Sequence, residues 1–221
     1  MFNTAYGQKL KPIAKFNIEV KEPSDIKYDK QRNSFWIVSD NGRLVECDLN
    51  GKKIRKAKFK GVDFEGVDIV GNYVVVVDET DRKVHFFDKK SLDLIKTIPL
   101  YYAGARNKGF ESILYNDKTN EYYLFTEMDP TYLFVYDKNF SLINQIELTF
   151  STDISSARWH NGDLWILSDE DHAIYVLDHD MKVKKKMVIP VINPEGITFA
   201  DGKIYIVSDD LEKIYVFNEN N

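Results

Sequence analysis

The 221-residue sequence predicts an all-β fold, a single β-propeller of five four-stranded blades. Three features carry the prediction. One motif recurs five times, no helical period interrupts it, and each end of the chain lacks a strand that the other can supply. The motif is fullest at Asn193-Pro-Glu-Gly-Ile-Thr-Phe-Ala-Asp-Gly-Lys-Ile-Tyr-Ile-Val-Ser-Asp-Asp210: a strand, a tight Asp-Gly turn, and a second strand ending in acid. Versions of it begin at Glu22, Phe64, Phe110 and Asp153.

In chain order, residues 1–14 read as an N-terminal arm and 15–221 as the propeller. Residues 15–20 alternate apolar and polar, as a half-buried strand does. The blades then run over about 22–60, 64–100, 110–150, 153–191 and 194–217, the last completed by 15–20. Each opens with a short strand (26–28, 67–69, 113–115, 157–159, 197–199) and a turn rich in Asn, Asp and Gly, which suits an antiparallel hairpin. The second strands, such as Phe35-Trp-Ile-Val38 and Leu164-Trp-Ile-Leu167, are continuously apolar, as expected of strands buried on both faces. The third strands end on Asp48, Asp88, Asp137, Asp178 and Asn218, at intervals of 40, 49, 41 and 40 residues, one four-stranded unit apart. Fourth strands fall at 54–59, 94–100, 142–150 and 183–191; the fifth unit has none. A strand at 15–20 without a partner and a blade without a fourth strand complete each other in a closed ring. A solenoid would need capping ends and leaves that match unexplained.

Bulk composition narrows the function. A net charge of −5 argues against nucleic acid, which asks for a basic stripe. Cys47 is the single cysteine, so an intrachain disulfide and a thiolate metal site are excluded; it reads as a small strand residue. No run approaches a membrane span, and the N-terminus lacks the apolar core of a signal peptide, which favours the cytoplasm for the chain as given. An exported domain whose leader had been replaced by Met1 would read the same. The chain is expected to be a monomer.

In propeller blades the innermost strand begins on the face where the second strand ends, so two sets of acids should gather around one mouth of the axis. Glu65, Glu111 and Glu195 open the innermost strands; in the other two blades Ser24 and Ser155 hold that position, with Glu22 or Asp153 two residues earlier. Asp40, Asp78, Glu127, Asp169 and Asp209 close the second strands, several followed by a further acid (Glu79, Glu170, Asp210). Clustered carboxylates repel and lose hydration unless a cation compensates. A hard cation such as Ca²⁺ takes six to eight oxygens in loose geometry and suits such a ring. Glu65, Glu111, Glu195, Asp153 and Glu22 are therefore the candidate ligands. An Asp after a strand also caps turns with no ligand involved, and that reading competes for the second set.

The long loop at 101–109 accounts for the 49-residue interval and should lie over the acidic mouth. There Arg106 and Lys108 would hold an anionic group or neutralise the acids. His172 is a candidate base near the axis, set against the plainer reading of a solvated loop histidine. His85, His160 and His179 suggest nothing. Gly-x-Ser-x-Gly, a phosphate-binding glycine loop, His-Glu-x-x-His and Cys/His clusters are all missing, so no nucleophile is paired with an activating base.

Phe64-Glu-Gly-Val, Asn107-Lys-Gly-Phe-Glu-Ser and Asn193-Pro-Glu-Gly-Ile, each with its acid-ended second strand, resemble the SdiA-regulated (YjiK-like) bacterial propeller family. Glu22-Pro-Ser-Asp-Ile and Asp153-Ile-Ser-Ser-Ala are similar to that family's acid-x-Ser-Gly-Leu entrances, with Asp25 and Ser156 in place of the glycine. The resemblance spans about residues 22–217. It implies central acids that hold Ca²⁺ and a family without an established activity. The wider superfamily includes lactonases and phytase-like esterases with Ca²⁺ on the axis; their metal sites mix Asn and Asp with Glu, and no matching Asn pair is found here. Two functions follow as expectations. The first is a Ca²⁺-stiffened binding module that offers its mouth to a small molecule or protein. The second is a Ca²⁺-dependent hydrolase of a lactone, ester or phosphoester, with Asp153 or His172 as base. The residues supply ligands more clearly than chemistry, which favours binding.

Overall fold

The computed structural model describes residues 8–102, 108–128 and 130–219. Among these residues there is no helix, hence none long and apolar enough to cross a membrane. Two short strands, β1 (Gln8–Lys9) and β2 (Ala14–Asn17), precede the blades. Blade one holds β3 (Pro23–Asp29), β4 (Ser34–Ser39), β5 (Arg43–Cys47) and β6 (Lys53–Lys56). Blade two holds β7 (Phe64–Val70), β8 (Tyr73–Asp78), β9 (Lys83–Asp88) and β10 (Leu94–Pro99). β11 (Phe110–Asn116), β12 (Glu121–Thr126), β13 (Tyr132–Tyr136) and β14 (Leu142–Glu147) form blade three. β15 (Ser156–His160), β16 (Asp163–Ser168), β17 (Ala173–Leu177) and β18 (Val183–Val188) form blade four. Blade five has β19 (Pro194–Ala200), β20 (Lys203–Ser208) and β21 (Lys213–Asn218).

Each blade is an antiparallel meander, and β2 pairs with β21 to complete blade five, with Ala14 opposite Val216 and Asn17 opposite Lys213. The ring is closed by the N-terminal strand, as the unmatched ends predicted. The end of the N-terminal arm also has a place: β1 adds to β18 in parallel, with Gln8 opposite Met187, and Leu10 behind it is buried. The fourth strands stop short of their predicted ends. β14 ends at Glu147 and β18 at Val188, and Leu148, Ile189 and Val191 are then buried as the chain crosses to the next blade.

The core lies between blades. Five apolar clusters each draw on two neighbours, for example Trp36, Val38 and Leu44 of blade one with Phe64, Val74, Val76 and Phe87 of blade two. All four residues of the apolar run in β4 are fully buried because both of its faces meet another blade. The acids ending the third strands are turn caps. Asp48 Oδ1 accepts the amides of Asn50 and Lys52, and Asp88, Asp137 and Asp178 do the same in their blades.

Candidate functional site

The three glutamates owe their position to a break in strand pairing. In blade two Phe64 faces Asp78 and Gly66 faces Val77, so Glu65 is left without a partner. The same slip strands Glu111 in blade three, Glu195 in blade five and Ser24 in blade one. Such a bulge re-aims the unpaired side chain, here toward the axis. β15 of blade four has a regular register, and Ser155 precedes it.

Acids from all five blades act on one another at this mouth. Each of the three glutamates keeps partial exposure. Burial raises Glu65 well above the usual carboxylate range, and Glu111, Asp40 and Asp63 add to the rise. Glu111 is likewise raised well above that range by burial, then by Glu79, Glu127 and Glu195. Glu195 is pushed up to about 8 by burial and by Asp169, Asp40, Asp209 and Asp153. Asp209 rises to about 6 through burial, Asp40 and Asp210. Asp40, Glu127 and Asp169 are also raised, burial being the largest cause in each. Glu79 is raised by burial although the Gly109 amide donates to it at 2.7 Å. Hydrogen-bonding contacts join Glu65 to Asp63, Asp63 to Glu79 and Glu79 to Glu111.

One residue further along the chain the charge is neutralised. Asp25, aligned with Gly66 and Gly196, is fully buried and receives Arg158 Nη2 at 2.6 Å, Ser156 Oγ at 2.9 Å and the Val67 amide at 2.8 Å. Arg158 also donates to the carbonyls of Ile26 and Ala157. This ion pair joins blades one and four, which are not neighbours in the ring, and it floors the mouth. Burial raises Asp25, and Arg158 draws it part of the way back. Around the floor, Asp25 caps Val67, Ser112 caps Ala157 and Ser156 caps Ile197, each reaching from one innermost strand to the next. At Gly66 and Gly196 the neighbour comes too close for a side chain. A Cβ would stand 2.7 Å from the Ile113 amide or from Asp25 Cα.

The remaining candidates are placed as follows. Asp78 is turned into the fold: its carboxylate accepts the amides of Val62 and Asp81 and faces His85. Burial raises it, but these partners outweigh burial and leave it lowered. Asp153 is 2% exposed, and its oxygens accept from Ser155, Ser168 and the Asp169 amide. Glu22 borders the mouth, where its charge acts on Asp40 and Asp209, and accepts from Asn41 at 3.2 Å. Asp169 Oδ1 is buried without a hydrogen-bond partner. His172 is exposed on a turn with φ of 44°. Lys108 lies close enough to Glu127 to lower it slightly against burial; Arg106 falls outside the described residues. Among the described residues the axial acids do not bring three ligand atoms within 4.8 Å of one another; Asp178, His179 and Asp180 do, and could hold a metal ion on an outer turn. There Asp178 Oδ1 already caps the turn. Sequence reasoning passed over Asp63 and the Arg158–Asp25 floor. Asp63 was legible: it stands two residues before Glu65, as Glu22 and Asp153 stand before Ser24 and Ser155.

The fold is shared with solved structures at low identity. Glutaminyl cyclase of Myxococcus xanthus superposes with a TM-score of 0.77 at 12% identity, over 96% of this chain and 98% of that one. The β-propeller domain of Cps50 (Swd1) from Myceliophteria thermophila gives 0.59 at 9% identity, over 95% and 99%. A streptogramin B lyase gives 0.55 at 13%, over 94% and 73%. These likenesses carry the architecture and nothing of the chemistry. Sequence comparison is more specific, because the SdiA-regulated family matches residues 3–218, nearly the whole propeller with its five entrances. The chain belongs to the SdiA-regulated family.

Proposed function

We propose that this propeller is a binding module that holds a divalent cation, Ca²⁺ by its chemistry, at the acidic mouth and presents it to a small molecule or protein. One observation carries the reading. Glu65, Glu111 and Glu195 are re-aimed by bulges into a common space, where burial and mutual repulsion hold their protons far above the usual range. A cation would displace those protons and draw the oxygens in. The donors are all carboxylates, with Asp40, Glu127, Asp169 and Asp209 at the rim, which suits a hard ion of loose geometry. Glu22 borders the same rim, whereas Asp153 serves the ring through Ser155 and Ser168 and would supply at most an outer contact.

Binding is favoured over hydrolysis because neither proposed base fits. Asp153 is already hydrogen-bonded, and His172 is a solvent-exposed turn residue. The 12% identity to glutaminyl cyclase likewise gives no ground for cyclase activity. The test is thermal unfolding of chelator-treated protein with Ca²⁺ or Mg²⁺ restored. An ion at 100 times its Kd adds about 2.7 kcal/mol to the folded state. A Ca²⁺-selective rise in Tm that Glu111→Gln abolishes is the expected result. No shift with either ion sinks the reading.

A further inference from the structure

A groove of about 570 Å³ lies between blades two and three on the face opposite the acidic mouth. It is built where β7 and β11 end, β8, β10 and β12 begin, and β13 turns toward β14. Tyr73, Phe86, Tyr115 and Tyr122 line it, together with Lys96 and Lys138. The rings brace one another. Tyr73 meets Phe86 at 6.1 Å and 80°, Phe86 meets Tyr122 at 6.1 Å and 82°, and Tyr115 meets Tyr122 at 4.9 Å. Small-molecule sites typically enclose about 300–1,000 Å³ and are walled by apolar and aromatic groups with few polar ones. Tyr73 and Ile95, 40% and 56% exposed, leave large apolar surface open here.

The lysines decide the ligand's charge. An aromatic box by itself would suit an organic ammonium ion, but two ammonium groups in the walls repel one. Neither Lys96 nor Lys138 pairs with a carboxylate among the described residues, in a chain with surplus acid. The acids nearby are already engaged: Asp68 with Lys27 and the Tyr115 amide, Asp88 and Asp137 with the amides of their own turns. Lys96 Nζ instead lies 5.7 Å from the centre of the Phe86 ring, and both lysines are exposed. We propose that this groove binds a small planar aromatic carboxylate, its ring among the four aromatic side chains and its anionic group between Lys96 and Lys138.

Isothermal titration of the full chain with 2-naphthoate, 2-naphthylmethanol and a naphthyl trimethylammonium salt tests this. Naphthoate should bind at least about 10-fold tighter than the alcohol, one charge-assisted contact's worth, and the ammonium salt should not bind. Lys96→Gln with Lys138→Gln should bring naphthoate down to the level of the alcohol, and Tyr73→Ala should weaken both. Glu111→Gln at the other mouth should change neither, which separates this groove from the cation site. Equal affinity for acid and alcohol overturns the proposal. So does a carboxylate preference that survives the double lysine variant, tighter binding of the ammonium salt, or no binding of any probe at millimolar concentration.

Discussion

Glu65 and Gly66 are adjacent in the chain, yet they belong to layers of opposite electrostatic character. The layer of Glu65, Glu111 and Glu195 holds acids that find mostly one another, and their protons are retained far above the usual range. One residue deeper, Asp25 is fully buried, more so than the glutamates, but meets Arg158, Ser156 and a backbone amide. The upper layer is dominated by the mutual repulsion of its acids; the lower one is neutralised and joins blades one and four. Burial alone does not mark a functional acid. What distinguishes the two layers is whether the fold supplies the counter-charge.

The sharpest way to break this contrast is to remove the counter-charge. Arg158→Met leaves Asp25 buried and two carbonyls without their donor, and should cost about 3–5 kcal/mol of stability, read by urea unfolding. Adding Asp25→Asn should restore part of that. A single variant within about 0.5 kcal/mol of the parent would show that the floor is not an ion-pair lock. A smaller loss is expected from Gly66→Ala. Its Cβ would meet the backbone of Ile113 and Ser112, and overpacking of this kind costs about 1–3 kcal/mol. If Gly66→Ala melts with the parent, the glycine is not there for close approach.

The mildest test is pH. Glu195 keeps its proton in the folded state up to about 8 but loses it near 4.5 when unfolded. The folded state therefore binds more protons in that window, and the stability this lends is lost as pH climbs through it. Chelated protein should melt progressively lower between pH 5 and 8. Glu195→Gln should flatten part of the slope, and saturating Ca²⁺ should flatten it too, since the ion replaces the protons. A Tm that rises with pH in chelator would contradict the upper layer's surplus of acid.

Much of the fold is legible in local sequence. The apolar runs of the second strands, the Asn, Asp and Gly turns, and the missing fourth strand of the last blade are local signals, and all lead to the closed five-bladed ring. The glutamate set was legible as well, through its repeated place ahead of the innermost strands. The acids ending the third strands were legible only as periodic. Their work as turn caps appears once Asp48 is seen to accept the amides of Asn50 and Lys52. Asp153 shows the limit of reading by position. It matches Glu22 and Asp63 in the repeat, but Ser155 and Ser168 take up its oxygens.

Blade count, closing strand and the repeated placement of acids at strand ends are written locally, because hydrophobic period and turn chemistry act over a few residues. Among the described residues, it is packing in three dimensions that sets which acids meet a cationic partner, as Asp25 does, and which meet mostly other acids. The close approach of Ile113 that demands Gly66 and the reach of Arg158 across the axis to Asp25, 133 residues away, join strands far apart in the chain. The charge state of a carboxylate is set by its neighbours in space, and no local pattern encodes those.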